Sequence, residues 1–245
     1  MKTLKMTIRY DGSEFKGWQR QSQECSVQGT IEQTLKALLK EEIAIHGAGR
    51  TDAGVHSLNG QTASFQLNTN IGADQLKYAL NRALPASIHI GEILEVPDTF
   101  HARYSAVGKT YQYIIDQSPE ANPLRAKYVH HLDKPLDIEA IEEAMSYFVG
   151  THDFQTFMAS GSKIENTVRT IHSFELKRQG DEFVFTISGD GFLYNMIRII
   201  MGTLIQVGYH KTMPNQIEAI IRSRCREKAR HTAPANGLYL MKVHY

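Results

Sequence analysis

Apolar residues recur along this chain with two different periods, and the order of these periods limits the folds that are open to it. Residues 4–10 alternate between apolar and polar side chains, which predicts a half-buried strand. After Ser26, which suits an N-cap, the apolar residues of 27–39 recur at helical spacing instead. The same reasoning predicts further strands over 43–46, 61–67, 88–96, 109–116, 170–178, 182–188 and 238–245, and helices over 72–84, 137–149, 192–209 and 215–224.

The succession of these segments predicts an α+β fold. Strand–helix–strand units occur near 1–67 and again near 109–245, and both hairpins and helices separate the strands. We therefore predict two domains with largely antiparallel sheets, residues 1–105 and 106–245, with the boundary around Ser105–Gly108. Between the predicted elements we expect a proline-containing connector over 117–136 and a loop rich in Gly, Ser and Thr over 150–168.

Composition excludes several classes of protein. Apolar residues make up 42% and charged residues 22%, which is ordinary for a globular chain. No apolar run approaches the ~18 residues of a membrane span, and the N-terminus lacks the apolar core of a signal peptide. The two cysteines, Cys25 and Cys225, are too few for a disulfide framework and indicate reduced thiols. We therefore expect a cytoplasmic protein without a membrane segment.

The net charge of +1 does not by itself indicate a nucleic-acid partner, but the distribution of charge is uneven. Residues 221–231 contain five Lys and Arg against one Glu, whereas residues 133–143 are mainly acidic. The basic run fits either a surface for RNA phosphates or a solvated helix end. No set of His and Cys residues has the spacing of a metal site, and adjacent His130 and His131 would point to opposite faces of a strand.

The most unusual segment for chemistry is Gly47-Ala-Gly-Arg-Thr-Asp-Ala-Gly54, directly after an apolar strand. Its glycines allow the backbone to approach a ligand closely, and Asp52 stands at the tip with Arg50 two residues before it. A P-loop would need a Lys that is missing here, and a carboxylate at Asp52 would repel the pyrophosphate of a dinucleotide. Asp52 therefore fits a catalytic carboxylate or a residue that shapes a tight turn.

Arg198 and Tyr111 are further candidates. Arg198 is a single cation on a predicted helix that is apolar almost all round, so it needs an anion, and Asp52 is one candidate. Such a pair would keep Asp52 ionised by lowering its pKa, but a structural ion pair or a side chain that extends to solvent fits equally well. Tyr111 shares one face of its strand with Lys109 and Tyr113, where a Tyr can be a core residue or a stacking platform for a base.

Several segments resemble those of the TruA-type tRNA pseudouridine synthases, and they occur in the same order. The stretch from Gly49 to His56 is similar to the signature of that family. The other matching segments are Tyr10–Ser13, Gly17–Gln21, Asn81 with Leu84-Pro85, Phe100–Ala106, Tyr111–Tyr113 and Gly237–Leu240. The resemblance runs from residue 4 to residue 245, so it covers nearly the whole chain.

The resemblance implies a role for individual residues. Asp52 matches the catalytic aspartate of the family, Arg50 belongs to the same motif, and Arg198 matches the basic residue that pairs with the aspartate. Tyr111 matches the tyrosine that packs against the target base, and Leu238 matches an aliphatic residue of the pocket. The implied fold is two α+β domains whose sheets join into one extended sheet, with the catalytic cleft between them.

The resemblance also implies a reaction and its partners. Members of the family are isomerases of tRNA processing that convert uridine to pseudouridine at positions 38, 39 and 40 of the anticodon arm, as homodimers without a metal or an organic cofactor. The N1–C1′ bond breaks and the base rejoins through C5, with Asp52 as nucleophile at C1′ or C6, or as a base at C2′. Candidates for RNA contacts are Lys16, Arg20, Arg103 and the basic run 222–230.

Two other classes remain possible from the residues alone. An RNA-binding module without catalysis would use Asp52 only to shape its turn. An Asp-dependent phosphoryl transferase would need Mg²⁺ ligands beside Asp52.

Overall fold

The structure is a computed structural model that describes residues 1–21, 24–161 and 164–245. In chain order its strands and helices are β1 (Lys2–Tyr10), α1 (Val27–Leu39), β2 (His46–Gly47), β3 (His56–Leu67), α2 (Ala73–Ala83), β4 (Ile88–Val96), β5 (Gly108–Asp116), β6 (His130–His131), α3 (Ile138–Ser146), β7 (Gly150–Asp153), β8 (Val168–Gln179), β9 (Glu182–Gly189), α4 (Met196–Gly208), α5 (Gln216–Arg222) and β10 (Leu238–His244). Short 3-10 turns connect some of them.

The chain divides into two compact units that differ from the predicted domains at their edges. Unit 1 comprises residues 1–109 together with 239–245, and unit 2 comprises residues 110–238. The sequence placed the boundary between 105 and 106 and assigned the last strand to the second domain. The last strand returns to unit 1 because Tyr239 and Leu240 pair in parallel with His56 and Ser57 of β3.

Unit 1 is a sheet with two helices packed against it. Its strand order is β4-β1-β3-β10, and β2 pairs with β3 outside this path. β1 is antiparallel to both β3 and β4, whereas β10 is parallel to β3. The apolar side chains of β1, β3 and β4 form one buried cluster with those of α1 and α2. Burial of these apolar faces is the main contribution to the stability of the unit.

Unit 2 contains the strands β5-β9-β8-β7, with β6 parallel to β5. β8 and β9, which match the predicted strands 170–178 and 182–188, form a hairpin around Gly180-Asp181, where Gly180 adopts a positive φ of 65°. α4 is buried over most of its surface, which agrees with a helix that is apolar almost all round. The predicted α+β class with largely antiparallel strands is confirmed.

The strand predicted over 43–46 is wrong, because β2 covers only His46 and Gly47. Ile45 is buried as the apolar pattern requires, but side chains of α1 bind its backbone groups. Its N–H donates to Glu32 Oε1 and its carbonyl accepts from Gln28 Nε2, both at 3.0 Å. A backbone satisfied in this way has no groups left for a strand partner.

The starts of two further elements differ from the prediction. β3 begins at His56 rather than at residue 61, because β10 pairs with its first residues. α4 begins at Met196 rather than at residue 192, because Asn195 has a left-handed φ of 58° that no α-helix accommodates.

Two polar strands lie in segments where no strand was predicted. β7 lies in the segment predicted as a loop over 150–168, of which residues 162 and 163 lie outside the described part, and β6 lies in the predicted connector 117–136. Both strands are short and lack the apolar alternation on which the prediction rested.

Candidate active site

Asp52 lies in the loop between β2 and β3, at the first position of a tight turn. The N–H of Val55 donates to the carbonyl of Asp52 at 3.2 Å, and Gly54 at the third position has a positive φ of 80°. A positive φ at this position of a turn favours glycine. Asp52 is half-buried, and its main-chain carbonyl accepts the hydrogen bond that closes the turn. A turn-forming role and a chemical role are therefore compatible in the same residue.

Neighbouring segments hold the loop on both sides of Asp52. The carbonyl of Gly49 accepts from Gln61 Nε2 at 3.0 Å. Thr51 is held twice, since its carbonyl accepts from the N–H of Trp18 at 3.1 Å and its hydroxyl lies 2.7 Å from the hydroxyl of Tyr10. Tyr10 and Thr51 are both buried, and burial raises the pKa of Tyr10, so its phenol stays protonated. The backbone around Asp52 is thus fixed before any substrate binds.

Residues 10–21, which we call the opening segment, pack directly against the Asp52 loop, and two glycines allow this close approach. A Cβ on Gly12 would lie 2.0 Å from the carbonyl oxygen of Val55, which is impossible without movement of the backbone. A Cβ on Gly17 would lie 2.7 Å from the carbonyl oxygen of Thr51, and Gly17 also has a positive φ of 93°. Sequence reasoning matched this segment to a family but missed its function as support for the loop. The turn-forming glycines beside the only Trp were the available signal.

His56, the last residue of the loop motif, is a structural residue. It is 2% exposed, and its Nδ1 accepts from the N–H of Gly12 at 3.0 Å and lies 3.2 Å from Asp11 Oδ1. Its ring stacks on Tyr239 of β10 with 4.8 Å between centroids. The residue therefore ties the end of the loop to both the opening segment and the last strand.

One cation lies within the loop, Arg50, and a second lies beside it, Lys109. Arg50 is exposed, as expected for a residue that could reach a ligand. Lys109 is half-buried, and its Nζ lies so close to Gly49 that a Cβ there would be only 3.0 Å away. The sequence placed Lys109 on the same strand face as Tyr111 but did not relate it to the loop. Only the tertiary structure brings these two segments together.

Arg198 lies on α4 in unit 2 and is half-buried. Its Nε donates to the carbonyl of Ala233 and its Nη1 donates to Asn195 Oδ1, both at 2.8 Å. Its own carbonyl accepts from the N–H of Ala233 at 2.9 Å. These two acceptors are uncharged oxygens, and the bonds to them orient the guanidinium. The predicted pairing of Arg198 with Asp52 stays a prediction.

The two tyrosines of β5 have different environments. Tyr113 is 1% exposed, and its hydroxyl lies 2.9 Å from the carbonyl of Pro234 and 3.0 Å from His130 Nδ1, so it is a core residue. Tyr111 is 8% exposed and meets Phe192 edge to face at 5.3 Å. The Tyr113 ring likewise meets a ring edge to face, that of His130 at 6.0 Å between centroids.

Leu238 is the first residue of β10 and is 5% exposed. The preceding Gly237 lies against β5, where a Cβ would be 2.8 Å from the carbonyl oxygen of Ile114 and 3.0 Å from the ring of Tyr113. This contact fixes where the segment enters the last strand and therefore where the backbone of Leu238 lies.

Comparison with known proteins identifies the family of this chain. The family described as tRNA pseudouridine synthase matches residues 6–105 and 144–245. The chain belongs to the tRNA pseudouridine synthase family. This confirms the resemblance and, with it, the class of isomerase that the sequence predicted.

Relatives from three bacteria match over nearly their whole length, and each is named tRNA pseudouridine synthase A. The protein of Acetivibrio thermocellus is 48% identical over 245 residues, with 100% of both chains covered. That of Brevibacillus brevis is 43% identical over 245 residues, again with 100% of both chains covered. That of Halalkalibacterium halodurans is 44% identical over 239 residues, which is 97% of this chain and 90% of the relative.

The predicted RNA contacts are less uniform than the sequence suggested. Lys16 is exposed, as a phosphate contact requires. Arg20 forms an ion pair with Glu32 at 2.7 Å, although 60% of its side chain remains exposed. Arg103 is exposed and lies over the ring of Tyr104 at 5.7 Å. Arg20 therefore already has an anionic partner within the chain, whereas Arg103 is stacked on a ring.

The basic run holds its own segment together. Arg224 pairs with Asp153 at 2.8 Å, and Arg226 donates to the carbonyls of Ala229 and Arg230. Arg230 in turn donates to Thr212 Oγ1 at 3.1 Å. These bonds use part of the donor capacity of each guanidinium, so the run is more ordered than a solvated helix end would be.

None of the helices in the described residues combines the length and the apolar character that a membrane span requires. Within the same part of the chain, no group of three or more His, Cys, Asp or Glu residues is arranged to hold a metal ion.

Proposed function

We propose that this chain isomerises uridine to pseudouridine at positions 38, 39 and 40 in the anticodon arm of tRNA, with Asp52 as the nucleophile. One observation carries the assignment of Asp52. Its loop is held by Gln61, Trp18 and Tyr10, while Asp52 itself is only half-buried. A carboxylate on a fixed backbone that a substrate can reach suits covalent catalysis, because little reorganisation is needed in the reaction.

The other site residues have roles that follow from the family. We propose that Arg198 pairs with Asp52 and keeps it ionised, that Tyr111 packs on the target base, and that Leu238 lines the pocket for that base. The hydrogen bonds of Arg198 to Ala233 and Asn195 support the first role, because they orient its guanidinium. The edge contact between Phe192 and Tyr111 supports the second, because it fixes the plane of the tyrosine ring.

The chemistry requires no change of oxidation state. The N1–C1′ bond breaks, a C5–C1′ bond forms, C5 loses a proton, and N1 gains one. Asp52 as a nucleophile holds the reacting nucleoside while the uracil turns. A base within a helix must leave its stack to be reached, which costs a few kcal/mol, and contacts of cations to phosphates offset that cost. Arg50, Arg20 and Arg103 are the cations that we propose for this role.

The proposal extends to the setting in which the enzyme works. The family implies a homodimer in the cytoplasm that acts on tRNA without a metal or an organic cofactor. Sedimentation of the purified chain with and without tRNA tests directly whether it is a homodimer.

Substitution of Asp52 tests the assignment. Asp52→Asn keeps the size of the side chain but removes its charge, so tritium release from C5-labelled uridine in tRNA should fall to background. Binding of the same tRNA should stay within about twofold of the unaltered protein, since phosphate contacts dominate affinity. Asp74→Asn, an exposed substitution on α2, is the matched control and should leave both measurements unchanged. Near-normal tritium release by Asp52→Asn would show that Asp52 is not the nucleophile.

A further inference from the structure

The segment from Phe100 to Ser105 in unit 1 presents an aromatic ring almost entirely to solvent. Tyr104 is 77% exposed, more than Tyr78 at 67% or Tyr194 at 49%. A tyrosine in this position adds little to the stability of the fold, because burial of apolar area is what stabilises it. Its exposure therefore calls for an explanation outside the core.

The ring of Tyr104 belongs to a continuous surface of rings and one guanidinium. His101 lies 4.4 Å from Tyr104 between ring centroids, and His46 lies 5.1 Å from His101. Arg103 lies over the Tyr104 ring at 5.7 Å. We call these four residues the Tyr104 platform. Every side chain of this platform is an aromatic ring, an imidazole or a cation, and none is a carboxylate.

His101 fixes the backbone that carries the platform. Its Nδ1 accepts from the N–H of Arg103 at 3.1 Å and lies within reach of the N–H of Tyr104 at 3.4 Å. The N–H of Ser105 donates to the His101 carbonyl at 2.9 Å, and the N–H of His101 donates to the hydroxyl of Ser105 at 3.1 Å. Burial and the neighbouring charge of His46 lower the pKa of His101, which keeps its Nδ1 available as an acceptor.

Two more distant residues hold the middle of the same segment. The N–H of Ala102 donates to the hydroxyl of Ser64 on β3 at 3.0 Å, and its carbonyl accepts from the hydroxyl of Tyr245 at 2.9 Å. Several hydrogen bonds therefore fix the backbone that carries Arg103 and Tyr104, although both of these side chains are exposed. Such a segment has little conformational entropy to lose when a ligand binds to it.

We propose that the Tyr104 platform binds a single-stranded nucleotide of the tRNA, with Tyr104 stacked on the base and Arg103 in contact with the adjacent phosphate. The inference rests on the proposed function, which supplies tRNA as the substrate. Stacking on an aromatic ring requires an exposed face and a fixed backbone, and Tyr104 has both. A guanidinium that lies on a ring keeps its N–H donors in its own plane, where a phosphate can accept them.

The anionic partner follows from the composition of the platform. A cation beside exposed rings is complementary to nucleotides, which offer a flat base and a negative phosphate in adjacent positions. The target base of the reaction is assigned to Tyr111, so the platform binds a different nucleotide. Its contribution is to hold the substrate in register while the target base is out of its stack.

Binding experiments on Asp52→Asn protein test the platform without turnover. Tyr104→Ala in that background should weaken tRNA binding about tenfold, within the range found for loss of one stacked base. Tyr104→Phe should bind as tightly as the parent, because the ring remains. Tyr78→Ala, which removes an almost equally exposed tyrosine from α2 of the same unit, is the matched control and should change nothing.

The salt dependence of binding separates the two contacts. Arg103→Gln should reduce the slope of log K against log salt by about one, whereas Tyr104→Ala should leave that slope unchanged. The melting temperature of Tyr104→Ala should stay close to that of the parent, because the ring is exposed.

Three results would overturn the inference. Unchanged tRNA affinity in Tyr104→Ala would show that the ring has no nucleotide partner. Equal losses in Tyr104→Ala and Tyr78→Ala would show a nonspecific effect of surface tyrosines. A change of oligomeric state in Tyr104→Ala on size-exclusion chromatography would assign the ring to a contact between copies of the chain. None of these bears on turnover by the unaltered protein, so failure of the platform is distinguishable from failure of the proposed function.

Discussion

The hydrogen bond between Tyr10 and Thr51 links the first strand to the residue before Asp52, and its removal has a calculable effect. The two hydroxyl oxygens lie 2.7 Å apart, with Tyr10 4% and Thr51 8% exposed. Tyr10→Phe keeps the ring, so it leaves no cavity. It removes the hydrogen bonds of the Tyr10 hydroxyl to Thr51 and to Gln61, and it leaves the Thr51 hydroxyl buried without that partner. Net hydrogen bonds contribute about 0.5–1.5 kcal/mol and an unsatisfied buried group costs about 1–3 kcal/mol, so we expect a loss of about 2 kcal/mol.

A double-mutant cycle isolates this bond from other effects. Tyr10→Phe, Thr51→Val and the double variant are unfolded in urea, and their free energies of unfolding are compared. We expect a coupling of about 1 kcal/mol, because the second substitution removes a group that the first has already left unpaired. Thr51→Ser keeps the hydroxyl and should preserve most of the stability. Strict additivity of the two single losses would refute the interaction.

The same variants test whether the bond matters to the reaction. Since Thr51 precedes Asp52 directly, a looser Thr51 should lower kcat of Tyr10→Phe several-fold while KM for tRNA changes little. Thr3→Val is the matched control, because it removes another buried hydroxyl of unit 1, which donates to Asp98 at 2.8 Å away from the loop. If Thr3→Val lowers kcat as much as Tyr10→Phe does, the effect is one of general stability and our reasoning about the loop is wrong.

Two further predictions concern unit 2. Burial lowers the pKa of His130 from 6.5 to about 4, with smaller effects of nearby His231 and His131. Between these pH values the unfolded chain binds more protons than the folded chain. The free energy of unfolding should therefore fall as pH drops from 6.5 towards 4. His130→Asn should flatten that dependence in urea unfolding at pH 7 and pH 5, and an equally steep fall would contradict the assignment. Gly202→Ala in α4 should cost about 3 kcal/mol despite the better helix propensity of Ala, because its Cβ would lie 1.8 Å from the carbonyl oxygen of His231. Wild-type stability of that variant in thermal unfolding would show that the segment around His231 can move away.

The helices and the longer strands were predictable because their apolar residues carry the period of the element. α1 illustrates this, since Ser26 accepts from the N–H of Gly29 at 3.3 Å as an N-cap and the helix spans the predicted residues. The strand predicted at Ile45 failed for a reason that no local pattern contains. Its backbone is bound by Gln28 and Glu32, which come from a separate helix.

The candidate site was predictable only in part. Glycine spacing predicted a loop that presents Asp52, and the turn closed by Val55 agrees with it. The supports of that loop were not predictable, because the Tyr10–Thr51 and Trp18–Thr51 bonds join residues far apart in the sequence. Similarly, the arginines of the basic run have acceptors such as Asp153 that charge counting cannot identify.

The parallel pairing of β10 with β3 has a consequence for synthesis of the chain on the ribosome. β3 is translated early, but the residues that cover its first positions, Tyr239 and Leu240, emerge after the whole of unit 2. Until then one edge of β3 carries unpaired N–H and C=O groups, and His56 lacks the ring on which it stacks. The strand that follows Asp52 is thus closed last, so a prematurely terminated product that stops before residue 239 leaves an open sheet edge for proteases and chaperones to bind.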